Sequence, residues 1–409
     1  MINKKTLVIF SLILAIIYHF VFYFGLYGYP FNESLTNING LLALASALIL
    51  IFVYITTNWR SDLKGNIMLK IFDLMILWIF ICYFRSMLNI NGAQEWKSFL
   101  FGNITGLSLF PPLFFVVGIN LKYFSQVNMM LLIYCVLTWV FSLFFLHYFE
   151  LQFFLLMPIF YIIVTYPMQS PRNRILTFII SVTIVVTSFT NRAGIMRIVF
   201  SYLIIVIYYI ILNIKLNKKL INIIIFCVLM SPLYFIYQGI NGENIFQVLS
   251  ENNTQGTGQE NLIADTRTDL YDEVLQDMQI SKTFIFGKGI NGGYVSDSFD
   301  TFNRTAAEVG FLQILLKSGI VGFLIYMALF ISAIFKALNK SKNLFMKYLG
   351  LLLSFYVLMF FIENILAFNL FNIIIWIVVG MCHSERLRDL NDEEIRELFL
   401  NGRTLKVSE

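Results

Sequence analysis

Long apolar runs alternate with short polar stretches along almost the whole chain. Most runs approach the ~20 residues that an α-helix needs to cross a bilayer. We predict about twelve spans, at residues 6–25, 39–57, 67–90, 99–119, 127–146, 151–166, 175–190, 195–214, 220–237, 312–335, 345–365 and 366–382. The last two could instead form a re-entrant pair, because only Ala367 and Asn369 suggest a turn between them. The pattern predicts an all-α polytopic membrane protein.

The composition agrees with this class and excludes several others. Of 409 residues, 58% are hydrophobic and only 13% are charged, whereas soluble proteins have about a quarter charged residues. The four cysteines lie in or at the ends of apolar spans and the three histidines are scattered, so we expect neither a disulfide framework nor a metal site. The chain has no P-loop or other nucleotide-binding fingerprint, and we expect no cofactor.

The basic residues predict the orientation in the membrane. The first apolar run is too long for a signal peptide and lacks a cleavage site, so it is interpreted as an uncleaved anchor. With the N-terminus in the cytoplasm, the basic residues of the alternate loops fall on the cytoplasmic side, as the positive-inside rule requires. They are Arg60, Lys64, Lys122, Arg172, Arg174, Lys215, Lys218, Lys219, Lys336, Lys340 and Lys342. Both termini are then cytoplasmic.

This topology divides the chain into four parts. Residues 1–237 form an N-terminal transmembrane bundle of about nine spans, 238–311 an extracytoplasmic loop or lid, 312–382 about three further spans, and 383–409 a cytoplasmic tail. The tail is predicted to be an amphipathic helix in or near water. The large loop is net acidic and begins with a flexible connector rich in Asn, Gly, Gln and Thr.

The structured part of the loop begins near Thr266. An apolar stripe at helical spacing predicts a short helix there; it consists of Leu270, Val274, Leu275 and Met278. Thr266 can cap this helix and Arg267 lies in its first turn. The free backbone N–H groups at a helix start and an arginine beside them can both bind phosphate oxygens. The acidic residues of this helix are interpreted as a solvated face. Gly287, Gly289, Gly292 and Gly293 follow, and they allow tight turns and close approach of the backbone to a ligand.

Several arginines lie on the outer side, against the positive-inside pattern. They are Arg85, Arg192, Arg197, Arg267 and Arg304. Ionisable groups at membrane depth are costly and are default functional candidates, so this set predicts a concave site for an anionic group at headgroup level. Arg85 and Arg197 could instead reach lipid headgroups, and Arg304 could pair with Glu308, four residues later on a helix face.

Three short motifs in the second half of the chain resemble those of a known family. They are Thr190-Asn191-Arg192-Ala193, Arg267-x-x-Leu270-Tyr271 followed by Phe286-Gly287-Lys288-Gly289, and Leu312-x6-Gly319-x-x-Gly322. In this order they are similar to the bacterial O-antigen and capsule repeat-unit polymerases (Wzy type) and the related O-antigen ligases. The resemblance implies a GT-C-like glycosyltransferase architecture of about twelve helices, with one large outward loop that contains short helices. It also implies the bacterial cytoplasmic (inner) membrane as the location.

The resemblance further implies a reaction. The substrates are an undecaprenyl-pyrophosphate-linked oligosaccharide donor and a lipid-linked acceptor, and undecaprenyl pyrophosphate is released without a cofactor or metal. Arg192 and Arg267 would be the main pyrophosphate clamps, with Arg197, Arg304 and Arg85 assisting, and Glu308 would be a base or sugar-orienting residue. The expected partners are the lipid bilayer, a chain-length regulator and a flippase, and no nucleic acid.

Other functions remain open. An O-antigen ligase would share nearly all these features, although Glu308 occupies the position where ligases typically carry a histidine. A transporter or flippase of lipid-linked oligosaccharides would also need about twelve spans, but the chain shows no convincing internal repeat. A sensor or scaffold would not need outward arginines in these motifs.

Overall fold

A computed structural model describes most of the chain. It covers residues 4–27, 33–56, 67–90, 92–145, 154–187, 197–206, 223, 266–296, 301–362 and 366–401. Arg192, most of the predicted span 220–237 and the connector of the large loop lie outside these residues. The regular structure of the described part is helical except for one two-stranded hairpin, which the sequence did not predict.

The helices are numbered in chain order within the described residues. They are α1 (Lys4–Tyr27), α2 (Glu33–Thr56), α3 (Ile67–Met87), α4 (Ala93–Phe101), α5 (Phe115–Ile119), α6 (Leu121–Ser142), α7 (Ile159–Val164), α8 (Pro171–Thr187), α9 (Arg197–Val206), α10 (Thr266–Ile280), α11 (Gly310–Asn339), α12 (Leu344–Ile362), α13 (Leu370–His383), α14 (Glu385–Asp389) and α15 (Asp392–Asn401). The antiparallel hairpin consists of β1 (Tyr294–Ser296) and β2 (Thr301–Arg304). Short 3₁₀ segments occur at Pro111–Phe114, Leu143–Phe145 and Tyr166–Met168.

Six of the described helices are long and apolar enough to cross a membrane: Thr6–Leu26, Asn39–Thr56, Ile67–Met87, Leu121–Ser142, Gly310–Asn339 and Leu344–Phe361. The chain is therefore a polytopic membrane protein with an all-α transmembrane region. The described residues of two further predicted spans contain the apolar helices α9 and α13. The predicted number of about twelve spans stays a prediction.

The prediction of one span over residues 99–119 was wrong. Helix α4 ends at Phe101, residues 103–109 form turns, and a 3₁₀ segment starting at Pro111 leads into the five-residue α5. Proline lacks the N–H group that a continuous helix needs, and two prolines in succession stop regular α-helix here. In the predicted span 151–166, the described residues have turns at 156–158 that separate helical residues 154 and 155 from the six-residue α7, all of whose residues are buried.

Helix α13 lies at the centre of the bundle. Every residue of α13 except Phe371 is buried. Its backbone meets α5 directly, because a Cβ atom on Gly118 would lie 1.8 Å from the carbonyl oxygen of Ile377. On another side, Trp376 makes edge contacts with Tyr326 and Phe330 of α11 at centroid distances of 5.0 and 5.1 Å.

Helix α11 is broken near its start. Gly319 has φ 68° and ψ −175°, which no α-helix contains. Residues 283–290 fill the break: the N–H groups of Lys288 and Gly289 donate to the carbonyls of Leu316 and Lys317 (2.7 and 3.1 Å). In return, the N–H of Ile320 donates to a carbonyl of the same loop, that of Phe284 (2.9 Å). The backbone groups freed by the break are thus satisfied by the loop, as burial requires.

The sequence predicts one amphipathic helix for the tail, and this prediction was wrong. The tail forms α14 and α15, which pack on the bundle through buried side chains; Leu387 and Ile395 are each 0% exposed. The side-chain amide of Asn343, between α11 and α12, donates to the carbonyls of Leu387 and Leu390 (both 2.8 Å). We call this side of the molecule the tail end, and the opposite side, where α11 begins beside α10 and the hairpin, the loop end.

Candidate active site at the loop end

Helix α10 is held on the start of α11 by its apolar stripe. Leu270, Val274 and Met278 are each 0% exposed, which confirms the predicted stripe. They pack in one cluster with Tyr294 of β1 and Leu312 of α11. The described helix runs from Thr266 to Ile280 and includes Arg267. The side chains of residues 266–269 lie outside the described part, so the cap and the phosphate contact stay predictions.

Tyr271 joins α10 to the end of α12. Its hydroxyl donates to the carbonyl oxygen of Phe361 (2.5 Å) and its side chain is buried. Burial raises the pKa of this phenol, so the hydroxyl stays a hydrogen-bond donor. Arg267 precedes Tyr271 by one helical turn and therefore lies on the same face of α10. This contact makes Tyr271 a packing residue between α10 and α12.

A charged cluster surrounds the hairpin. Arg304 and Glu308 form an ion pair of 2.7 Å between Nη2 and Oε1, the pairing that the sequence had offered as an alternative to a catalytic glutamate. Tyr294 is the cross-strand neighbour of Arg304 and is 1% exposed. Burial raises the pKa of Tyr294, Arg304 lowers it, and the charges of Glu273 and Glu308 raise it. These four side chains therefore form one electrostatic cluster.

The interpretation of the acidic residues of α10 as a solvated face was wrong for two of the three whose side chains the structure describes. Asp277 pairs with Lys288 of the following loop, and Glu273 belongs to the cluster at Tyr294. Asp272 is the exposed member of this group. The sequence had not singled out Glu273, because its neighbour Tyr294 comes from a hairpin whose return on α10 no local pattern indicates.

Arg85 lies beneath the loop that fills the break in α11. Its two terminal nitrogens, Nη1 and Nη2, donate to the carbonyls of Phe286 and Gly287 (2.6 and 3.1 Å). The guanidinium carbon also lies 5.7 Å from the ring centroid of Phe286. Arg85 therefore ties the end of α3 to this loop, and its predicted contact with pyrophosphate stays a prediction.

Arg197 lies in α9 and is only 8% exposed. Its guanidinium carbon lies 5.3 Å from the ring centroid of Phe371, and it lines a cavity between α7, α9, α12 and α13. The charge is thus held inside the bundle. Arg192 precedes Arg197 by five residues, so their Cα atoms are within about 18 Å of each other even in a fully extended chain.

The glycines after α10 approach protein backbone rather than open space. Gly287 and Gly289 have positive φ angles of 71° and 86°, which favours glycine. A Cβ on Gly287 would lie 2.6 Å from the backbone nitrogen of Gly319, and one on Gly289 would lie 2.3 Å from Oγ of Ser86. The expected close approach to a ligand is, at these two positions, a close approach to α11 and α3.

Lys317 is a buried charge that the sequence analysis missed. It is 1% exposed, and its ammonium group donates to the carbonyl of Ile290 (2.5 Å). Its position inside an apolar span was the signal that could have identified it. Among the described residues, no group of three or more His, Cys, Asp or Glu side chains is arranged to hold a metal ion.

The comparison with known proteins gives one family. Residues 175–327 match the family model described as O-antigen ligase, which represents the Wzy-type O-antigen polymerases and ligases. This segment contains every predicted site residue except Arg85. The match indicates polymerase or ligase activity on lipid-linked sugars in polysaccharide biosynthesis. No curated protein and no solved structure matches the chain significantly.

Proposed function

We propose that this chain polymerises oligosaccharide repeat units carried on undecaprenyl pyrophosphate, and the match of residues 175–327 to the O-antigen ligase family model supports this proposal. The enzyme is a glycosyltransferase that works at the outer face of the bacterial cytoplasmic membrane, with both termini in the cytoplasm. The product is an O-antigen or capsular polysaccharide.

The reaction is a displacement at an anomeric carbon. The non-reducing-end hydroxyl of a lipid-linked repeat unit attacks the first sugar of the growing chain. A new glycosidic bond forms, the bond to the pyrophosphate oxygen breaks, and undecaprenyl pyrophosphate leaves with the bonding electrons. The hydroxyl proton passes to a carboxylate. Negative charge grows on the leaving oxygens, so arginines beside them stabilise the transition state more than the ground state.

The observation that carries this proposal is the set of charged residues in the matched segment. Arg197 lies in α9, Arg267 in α10, and the Arg304–Glu308 pair at the hairpin. We assign Arg192 and Arg267 to the pyrophosphate, with Arg197 and Arg85 beside them. Arg304 holds Glu308, which receives the proton or orients the acceptor sugar.

Glu308 also favours polymerase over ligase. By the motif resemblance, ligases typically carry a histidine at this position, and this chain has a glutamate paired with Arg304. A carboxylate at that place suits acceptance of a proton from a sugar hydroxyl.

The test is reconstitution. The purified full-length protein in detergent is incubated with a lipid-linked repeat unit, and the products are separated on a gel. A polymerase gives a ladder whose steps are single repeat units, together with released undecaprenyl pyrophosphate. If a thermal melt shows that the protein is folded and both products are absent, this function is excluded.

A ligase is the second candidate, and the description of the matched family favours it. A ligase transfers a finished chain once to a different acceptor. Adding a lipopolysaccharide core acceptor to the same reaction separates the two. One transferred chain per core, without any ladder, would identify a ligase.

A further inference from the structure

The loop that fills the break in α11 presents a row of apolar side chains to its surroundings. Phe284, Ile285 and Phe286 are consecutive in the chain and are 43%, 55% and 52% exposed. We call these three residues the apolar row. Exposed apolar side chains that lie together, rather than singly, mark a contact with another protein or with a membrane.

The loop lies within the length of a membrane span and not beyond its end. The indole N–H of Trp78 donates to the carbonyl of Ser318 (3.0 Å), just before the break. The ring of Phe286 stacks on that of Trp78 at a centroid distance of 5.9 Å. Trp78 is nine residues before Met87, where α3 ends, which is about 13 Å along a helix. The break and the loop inside it are therefore at a depth where α3 crosses the membrane.

The apolar row continues the outer faces of the two neighbouring helices. On α3, Leu77 and Phe84 are exposed two turns apart. On α11, Leu324 is exposed and lies one turn after Ile320, whose N–H donates to the carbonyl of Phe284 (2.9 Å). Exposed apolar faces of membrane-spanning helices contact lipid tails. Since the loop bonds to both helices at this level, the same lipid tails can cover it.

The carbonyl groups of the loop meet the requirement for irregular backbone at this depth. Polar backbone groups inside a membrane need partners within the protein. The five carbonyls of residues 283–287 all accept hydrogen bonds, in chain order from the N–H groups of Gly287, Ile320 and Val321 and then from the two terminal nitrogens of Arg85. The loop thus directs its carbonyls to protein donors and its apolar side chains outward.

We infer that the apolar row is a re-entrant anchor, which inserts into the hydrocarbon of the leaflet at the loop end and has lipid acyl chains as its partner. The exposed Lys282, two residues before the row, can extend its ammonium group to the headgroup phosphates. The segment 238–311, which the sequence assigns to an extracytoplasmic loop, therefore re-enters the membrane at one point. This inference does not depend on the proposed polymerase reaction.

The anchor fixes the height of α10 at the membrane. The N–H of Thr283 donates to the carbonyl of Met278 in the last turn of α10 (3.0 Å), and Lys288 pairs with Asp277 of the same helix. Helix α10 cannot swing away from the bilayer unless the apolar row leaves the lipid or these bonds break. The helix that carries Arg267 is then a fixed part of the membrane surface.

Fluorescence at a single labelled position tests the anchor. With Cys227 replaced by serine, Ile285→Cys is labelled with nitrobenzoxadiazole, and the full-length protein is reconstituted in phosphatidylcholine nanodiscs, whose two faces are both open to solvent. We expect emission at a shorter wavelength than in water. We also expect quenching by lipids that carry a nitroxide on the acyl chain, and protection from iodide in the aqueous phase.

Two matched labels calibrate this result. Leu77→Cys, on the exposed face of α3, reports lipid contact, and Asp272→Cys, on the exposed side of α10, reports water. The label at residue 285 should match that at residue 77, with quenching by iodide several-fold weaker than at residue 272. If Ile285→Cys lowers the melting temperature, Phe284→Cys places the label in the same row and keeps the backbone bond to Ile320.

Three results would overturn the inference. Quenching by iodide as strong as at residue 272 would place the apolar row in water. Quenching by headgroup nitroxides without any by acyl-chain nitroxides would place it on the membrane surface, not inserted. Protection from both iodide and nitroxide lipids would mean that protein covers the row, either another part of the chain or a second copy.

Discussion

At the residue scale, Glu308 has a structural partner and a proposed chemical role at once. Its ion pair with Arg304 uses Oε1 and is partly exposed, with 38% of the glutamate side chain accessible. Such exposed pairs contribute only about 0–1 kcal/mol to stability. The pair therefore orients Glu308 more than it stabilises the fold, and the carboxylate keeps a second oxygen for the proton of the acceptor hydroxyl.

Replacing Glu308 by glutamine separates these roles. Glu308→Gln removes the basic group while keeping the shape of the side chain. We expect turnover to fall by about 10²–10⁴, the usual contribution of a general base, and the free energy of unfolding to change by about 1 kcal/mol or less. Turnover is measured as polymer length and released undecaprenyl pyrophosphate, and stability by thermal unfolding in detergent.

The control for this change is Asp272→Asn, which removes an exposed carboxylate from α10. It should leave turnover intact. Full turnover in Glu308→Gln would exclude Glu308 as the base. An equal loss in both variants would point to the overall acidity of the loop.

Sequence reasoning reached single residues of this site where a local pattern existed. The spacing of four residues indicated the Arg304–Glu308 pair, and the structure contains that pair; the expected helix face was wrong, because Arg304 ends β2 and Glu308 lies in the bend before α11. Glu273 and Tyr294 meet only because the hairpin folds back on α10. That contact depends on tertiary packing, which no local periodicity encodes.

At the element scale, the break in α11 and the loop after α10 form one unit. Gly319 opens the helix, residues 283–290 supply hydrogen bonds to both edges of the break, and Trp78 donates to the carbonyl of Ser318 (3.0 Å). Lys317 and Arg85 hold the same loop through the carbonyls of Ile290, Phe286 and Gly287. This unit sets the position of the hairpin that follows, and with it Tyr294 and Arg304.

Gly319→Ala tests this unit. The backbone at Gly319 has dihedral angles that are essentially restricted to glycine, which costs another residue about 1–3 kcal/mol. A Cβ there would also lie 2.2 Å from the carbonyl oxygen of Ile285, so the loop must move. We expect a lower melting temperature in detergent and faster proteolysis within residues 283–290.

Gly92→Ala is the matched control, because nothing lies within 4 Å of a Cβ at Gly92 and its φ of −146° suits any residue. Its melting temperature should match that of the unchanged protein. If Gly319→Ala melted like this control, the break would not be a constraint on the fold.

The elements themselves were predicted unevenly from the sequence. Long helices such as α1, α3 and α12 match their apolar runs, because burial in a bilayer requires such runs. The predicted span 99–119 failed because its apolar residues are buried in protein, in turns and the short α5. A hydrophobic run alone does not distinguish burial in lipid from burial in protein. The motif around Gly319 was recognised, but its role depends on a loop about thirty residues earlier.

At the scale of the whole molecule, α11 separates two differently charged ends. It runs from the hairpin to Lys336 and Asn339, a length of roughly 45 Å at 1.5 Å per residue. The loop end carries Arg304 and Glu308, and the tail end carries basic residues with α14 and α15 docked beside them. The proposed reaction needs the loop end outside, where the lipid-linked sugars are joined, and the positive-inside pattern of the sequence agrees.

Cysteine labelling tests this orientation. The native cysteines Cys82, Cys135 and Cys382 are buried, so they should react slowly, and Cys227 can be replaced by serine. In that background, Gly92→Cys places an exposed thiol at the loop end and Lys340→Cys places one at the tail end. In intact spheroplasts, a membrane-impermeant maleimide should label the first and not the second, and permeabilisation should expose both. Labelling of Lys340→Cys alone would put the loop end in the cytoplasm, away from the proposed substrates, and would contradict both the topology and the polymerase reaction.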